Sequence, residues 1–281
     1  MDCKDNLDLR KLACRLRIDV IDMVYHAASG HVGGSLSICD TLAYLYTREM
    51  RIDPKRPDLP ERDRLVLSKG HACPALYAVL AESGYFPREE LAHLRQAGRM
   101  LQGHPDMKKI PGVDMTTGSL GQGFSAAVGM ALAAKMCSCG HRTYAIVGDG
   151  ELQEGQVWEA AMLAAHKKLD NLTVIVDNNG LQIDGNIAEV NSPYPICEKF
   201  LAFGWAVTEA DAHDFESLER AFALSGAQPG KPTAIIQKSI KGKGVSFMEG
   251  KASWHGTPPN REQYEKAMSE LQAVMYELEA E

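Results

Sequence analysis

The chain has 281 residues, 45% of them hydrophobic and 24% charged, with a formal net charge of −7. That is enough apolar side chain for a sizeable core, while the acidic balance argues against a general nucleic-acid binder. No run of ~20 apolar residues is present to span a membrane. The opening Met1-Asp2-Cys3-Lys4-Asp5 lacks the basic start and apolar stretch of a signal peptide. Seven cysteines in no disulfide spacing point to reduced thiols in a cytoplasmic protein. Cys137 and Cys139 lie close to His141 but do not have zinc-ligand spacing.

In chain order, Leu9, Leu12, Leu16, Val20 and Val24 predict a helix over 7–28 that Ser29-Gly30 can end. A glycine-rich loop, His31 to Ser35, precedes a second helix over 36–48. Residues 64–68 are short and apolar, as a buried strand is, and Gly70-His71-Ala72 leads into a helix with Pro74 near its start. Residues 103–118 read as loop, and a small-residue helix follows over 121–135. Strands are expected at 144–147, 172–177, 206–208 and 232–236. Helices are expected at 155–167, 216–224 and 264–278. Alternating strands and helices argue an α/β fold with a mostly parallel sheet flanked by helices on both faces. With no repeat and no low-complexity linker, residues 1–281 read as one domain.

Two of the predicted strands run into polar turns, Gly148-Asp149-Gly150 and Asn178-Asn179. In open α/β sheets, ligands bind beyond the carboxyl ends of strands. Asp149 offers a carboxylate oxygen, Asn179 an amide oxygen and Leu181 a main-chain carbonyl. Mg²⁺ takes six hard oxygens and accepts the remainder from phosphate and water. Gly150 lets the backbone approach a phosphate, and a helix after it can add its dipole. Either turn alone is an ordinary strand end. The pair is more specific, because Asn179 stands thirty positions after Asp149, and Glu154 and Gly155 follow the first turn.

Seven segments together carry a resemblance: Ser29-Gly30-His31-Val32-Gly33-Gly34, Ser68-Lys69-Gly70-His71, Gly103-His104-Pro105, Thr116-Thr117-Gly118-Ser119-Leu120-Gly121-Gln122-Gly123, Gly148-Asp149-Gly150-Glu151, Asp177-Asn178-Asn179-Gly180 and Trp254-His255-Gly256. In this order they resemble the N-terminal, thiamine-diphosphate-binding half of the transketolases, over nearly the whole chain. The resemblance implies thiamine diphosphate held through Mg²⁺, with Ca²⁺ or Mn²⁺ as substitutes, and Asp149, Asn179 and the Leu181 carbonyl as metal ligands. It implies that His71 and His255 lie beside the diphosphate, and that His31, His104 and His255 face the sugar. Gly118, Ser119 and Leu120 match a loop against the cofactor's rings, and Gly150 a backbone contact to the diphosphate. Glu154 matches a buried glutamate near a subunit interface, within a network linking two active sites. Glu151 and Lys238 join the cofactor-binding candidates. Lys238, Lys241 and Lys243, set among Gly242 and Gly244, suit the steering of anionic ligands or a solvated basic loop. Imidazoles fit the chemistry, because ketose transfer moves protons on sugar hydroxyls near neutral pH. His26, His93, His141, His166 and His213 match no motif.

Val32 and Ser119 stand where the family often has proline, which leaves sugar specificity open. The chain ends at Glu281, where the first domain of a transketolase ends. The expectation is an N-terminal subunit of a split transketolase, active only with a C-terminal partner of roughly 300 residues. That partner would supply the pyrimidine-binding half, in a heterotetramer acting on sugar phosphates or sulfosugars. Three competing readings stand beside it. Gly121-Gln122-Gly123-Phe124-Ser125-Ala126 fits a dinucleotide pattern, but no apolar strand precedes it. A deoxyxylulose-phosphate synthase or the α subunit of a 2-oxoacid dehydrogenase would share the cofactor motif. A non-catalytic, cofactor-binding half is the third.

Overall fold

The computed structural model describes residues 3–281, and side chains from Asp5 onward. Met1 and Asp2, part of the segment on which the signal-peptide reading rests, lie outside the described residues. The helices are α1 (Cys3–Ala27), α2 (Gly33–Leu36), α3 (Cys39–Tyr44), α4 (Cys73–Glu82), α5 (Gln122–Met136), α6 (Gly155–His166), α7 (Ile187–Asn191), α8 (Ile196–Ala202), α9 (Phe215–Phe222) and α10 (Arg261–Ala280). The strands are β1 (Arg64–Leu67), β2 (Thr143–Gly148), β3 (Leu172–Asn178), β4 (Leu181–Gln182), β5 (Gly185–Asn186), β6 (Ala206–Asp211) and β7 (Thr233–Lys238).

Five strands form one sheet in the order β1-β2-β3-β7-β6, every neighbouring pair parallel. Side chains alternate across a strand, so a sheet covered on both sides needs apolar residues at every position. Tyr144, Ile146, Ile175 and Ile235 join the core under α1, α3, α4 and α9. Ala145, Val147, Val174, Val176, Ala234 and Ile236 join the opposite core, under α5, α6 and α8. The two-faced burial is why these strands read as continuous apolar runs. Because all five strands are parallel, their carboxyl ends open on one edge, and β1, β2, β3 and β7 each deliver polar residues there.

Most predicted elements stand within a few residues of their expected bounds. The helix expected over 36–48 does not. It is broken into α2, α3 and a wide final turn at Leu45–Glu49. Ile38 leaves helical geometry (φ −107°, ψ 5°), and the preceding Ser37 donates to the buried Asp177 carboxylate at 2.8 Å. Gly33 and Gly34 of the expected loop are already helical. Gly33 is small for contact rather than for bending: a Cβ there would sit 2.8 Å from the Trp254 carbonyl oxygen and 2.9 Å from Lys241 Cγ. The β4–β5 hairpin, α7 and α8 had no clear periodic signal. Gly121 caps α5 in left-handed geometry (φ 82°) with no strand before it, which removes the dinucleotide reading. Among the described residues no cluster of His, Cys, Asp and Glu suits a metal, so Cys137, Cys139 and His141 form no such site. Also among the described residues, no helix is long and apolar enough to cross a membrane.

Helix α5 meets the end of β1 through Gly123, where a Cβ would lie 2.7 Å from Ser68 Cα. Backbone cannot retreat as a flexible side chain can, so overpacking here costs about 1–3 kcal/mol. Gly123→Ala is therefore expected to lower stability in denaturant unfolding by that much. An unchanged midpoint would mean α5 is not seated this tightly.

Candidate active site

The carboxyl edge is organised around one buried ion pair. Lys69 is 2% exposed, and its Nζ donates to Asp177 Oδ2 at 2.6 Å and to the Gly34 carbonyl at 2.7 Å. Asp177, at the end of β3, also accepts from Ser37, Ser239 and the Asn179 amide (Nδ2, 3.0 Å). Burial pushes the Asp177 carboxyl upward, but the Lys69 charge and these donors outweigh it and hold the acid below its ordinary range. Since Asn179 Nδ2 is tied to Asp177, its Oδ1 is turned the other way. That orientation makes it an available oxygen ligand, at present accepting from Leu181 N–H at 3.1 Å.

Asp149 immediately follows the neighbouring strand β2, whose last residue Gly148 pairs with Asp177. Its carboxylate accepts from Gly150 N–H (2.8 Å) and Gly180 N–H (2.6 Å). Burial and then the neighbouring Asp177 raise its pKa to about 6. The Leu181 carbonyl accepts from Lys241 Nζ at 3.3 Å, and the same ammonium donates to His255 Nδ1 at 3.0 Å. Burial and the Lys69 charge lower Lys241 to about 8. Asp149, Asn179 and Leu181 all line one cavity of about 400 Å³ with His31, His71 and His255. Carboxylate, amide and carbonyl oxygens are the donors a small hard cation takes, so the residues present fit a divalent metal.

His31, His71 and His255 form a cluster with ring centroids 5.0–5.3 Å apart. They come from three separate segments: the loop after α1, the turn after β1 and the turn after Trp254. Burial, then Arg95, lowers His31 to about 4; burial, then Lys241, lowers His255 to about 3. His71 is pushed well below its ordinary value by burial and the Lys69 charge. His104 lines the same cavity from a more exposed position and is lowered by burial and Arg95. All four rings are thus neutral at physiological pH, each with one N–H and one lone pair. Lys241 fills the His255 Nδ1 lone pair, which leaves the ring proton on Nε2. The buried His31 Nδ1 has no hydrogen-bond partner among the described residues.

Several expected contacts differ. Glu151 is buried, and its carboxylate accepts from Ser68, Gly121 N–H and Gly148 N–H. It braces the turn from within the fold, while the residue also contributes to the cavity lining. Lys238 is exposed and borders a different crevice, with Tyr194 and Glu209; Lys241 is the lysine that enters the cavity. Glu154 lines the cavity but is exposed rather than buried, because none of the described residues covers it. Gly118, Leu120 and Gly150 line the cavity, whereas Ser119 is exposed and does not. Lys69 and Lys241 had no signal beyond their places in the motifs and the glycine-spaced turn.

The sequence matches the family described as transketolase, thiamine diphosphate binding domain, over residues 9–274. It is 49% identical over 269 residues to the 6-deoxy-6-sulfo-D-fructose transketolase subunit SqwG of Clostridium sp. (strain MSTE9), covering 96% of this chain and 98% of that protein. It is 43% identical over 277 residues to a subunit of the apulose-4-phosphate transketolase of Phocaeicola vulgatus, covering 99% and 98%. The solved transketolase of Campylobacter jejuni superposes with a TM-score of 0.90 at 35% identity, covering 99% of this chain and 46% of that one. This chain therefore spans about half the length of that solved relative. The chain belongs to the transketolase family and corresponds to its thiamine-diphosphate-binding domain.

Two outcomes follow for the chain alone. Removing one member of a buried pair strands the other charge and costs about 3–5 kcal/mol. Lys69→Met is expected to lose that much stability in urea unfolding; a loss under about 1 kcal/mol would mark the pair as peripheral. The histidines set an acid limit. Their folded pKa values lie below the ordinary 6.5, so the unfolded chain takes up protons first. The stability they contribute is full above pH 6.5 and is lost as pH falls towards about 4 for His31 and about 3 for His255. The midpoint of thermal unfolding should drop over that window, and drop less in the double variant His31→Gln/His255→Gln.

Proposed function

We propose that this chain is the N-terminal, thiamine-diphosphate-binding subunit of a two-subunit transketolase. In this reading it moves a two-carbon ketol unit from an anionic ketose to an aldose. The observation that carries it is the convergence of Asp149, Asn179, the Leu181 carbonyl and four neutral histidines on one cavity at the carboxyl edge. Relatives of matching length are named as transketolase subunits, which supports a partner chain. One is named for a sulfosugar and another for a sugar phosphate, which supports an anionic sugar as substrate. The reading places the protein in the cytoplasm, in a heterotetramer in which the partner covers the mouth at Glu154, Ser119 and Leu120.

When bound, thiamine diphosphate supplies the carbanion chemistry that cleaves and forms the carbon–carbon bond. The protein's part is placement and proton handling. Asp149, Asn179 and the Leu181 carbonyl would hold Mg²⁺, and Lys241 would leave Leu181 for the diphosphate. A divalent charge at Asp149 favours its ionised form and offsets the upward push of burial. His71 and His255, which line the cavity, would serve the anion as neutral donors. His31 and His104, which both line the cavity, would exchange protons with sugar hydroxyls.

The test is reconstitution of the chain with its partner, Mg²⁺ and thiamine diphosphate, using a phospho- or sulfo-ketose donor. Ketol transfer should need both chains. Asp149→Ala should lower activity and Mg²⁺-dependent cofactor affinity by about 100-fold or more, since even residues that only support metal ligands cost 10–100-fold. Unchanged cofactor affinity in Asp149→Ala would remove the metal assignment.

A further inference from the structure

His213 belongs to none of the motifs, yet it is built into the back of the site. Its side chain is 11% exposed, with Nδ1 2.7 Å from Asp40 Oδ2. Its Nε2 accepts the main-chain N–H of Ile240 at 3.0 Å. Because that amide fills the Nε2 lone pair, the ring proton lies on Nδ1 and is donated to Asp40. Asp40 in turn pairs with Arg17, and both are buried. Arg17 packs beneath the far end of the same turn: a Cβ on Gly244 would lie 2.9 Å from Arg17 Cδ.

The turn after β7 thus has a series of anchors. Ser239 donates to Asp177, Ile240 N–H to His213, and Gly242 N–H to the Gly33 carbonyl at 3.0 Å. Ile240 stands past the end of β7, so its amide has no ladder partner. Ile240 is partly exposed, its carbonyl accepts from Lys243 N–H at 3.2 Å, and its N–H is held by the imidazole acceptor one residue before Lys241. From that point Lys241 Nζ reaches both the Leu181 carbonyl and His255 Nδ1. A small error in this turn is passed directly to the ammonium, and such displacements weaken a site disproportionately.

We infer that the Asp40–His213 pair is a positioning device that fixes the Ile240 main chain and thereby aims Lys241 into the cofactor cavity. The inference rests on the cofactor reading above. His213 touches neither cavity nor substrate; it acts through the turn.

The test compares His213→Leu, which removes the acceptor, with His213→Gln, whose side-chain oxygen can still accept from Ile240. Both are made in the chain reconstituted with Mg²⁺ and the partner chain. In His213→Leu, hydrogen exchange across residues 239–244 should rise, and thiamine diphosphate should bind about tenfold or more weakly, the scale seen for supporting residues of cofactor sites. His213→Gln should stay close to wild type in both readouts. Unchanged exchange in His213→Leu, or equal losses in the two variants, would overturn the positioning role. A wild-type complex that takes up no thiamine diphosphate would overturn the proposed function instead, while the exchange data still decide whether His213 holds the turn.

Discussion

A lysine just past β1 and an aspartate near the end of β3, each almost fully excluded from solvent, neutralise one another across the end of the intervening β2. Isolated, either charge would be costly to bury. Paired and fully hydrogen-bonded, Lys69 and Asp177 become a fixed point from which the site is laid out. Asp177 turns the Asn179 amide, draws Ser37 out of a continuous helix and ties down Ser239 at the end of β7. Lys69 ties Gly34 to the same point. Three segments far apart in sequence are thereby held in one arrangement before any ligand arrives, which is the preorganisation a binding site needs.

Burial has a second consequence. The same exclusion of water that makes the ion pair tight keeps the surrounding histidines neutral, helped by the nearby Lys69, Lys241 and Arg95 charges. The proposed function draws on both properties: cationic lysines would favour a diphosphate, and uncharged imidazoles would retain a lone pair with which to accept a proton. Asp149, in contrast, is raised by burial, and a divalent cation bound there in the proposed function would couple its own occupancy to ionisation of the ligand.

Much of this was legible in the sequence. Strands buried on both faces announce themselves as short apolar runs, and β1, β2, β3 and β7 were placed by that signal. The motif residues Asp149, Asn179, His31, His71, His104 and His255 all line one cavity, which the positions after strands suggested for Asp149 and Asn179 and the family resemblance implied for the histidines. What was hidden depends on tertiary direction. Lys238, Lys241 and Lys243 are equivalent in composition; the left-handed turn at Gly242 (φ 79°) and its bond to Gly33 accompany the entry of Lys241 into the cavity. The bracing of three donors by the Glu151 carboxylate likewise has no local signal, since Ser68 and Gly121 come from distant segments. His213 has no local pattern at all, because its partner Asp40 lies 173 positions away. The break at Ser37 follows from a carboxylate on another strand, which helical periodicity cannot register.

Whether this edge is a preformed metal–diphosphate site is measured most directly by a crystal structure of the chain with its partner, Mg²⁺ and thiamine diphosphate. The prediction is a metal bonded to Asp149, Asn179 and the Leu181 carbonyl, with Lys241 Nζ moved from Leu181 to the diphosphate and the Lys69–Asp177 pair unchanged. A metal or diphosphate bound elsewhere, or a Lys69–Asp177 pair that opens on binding, would contradict it.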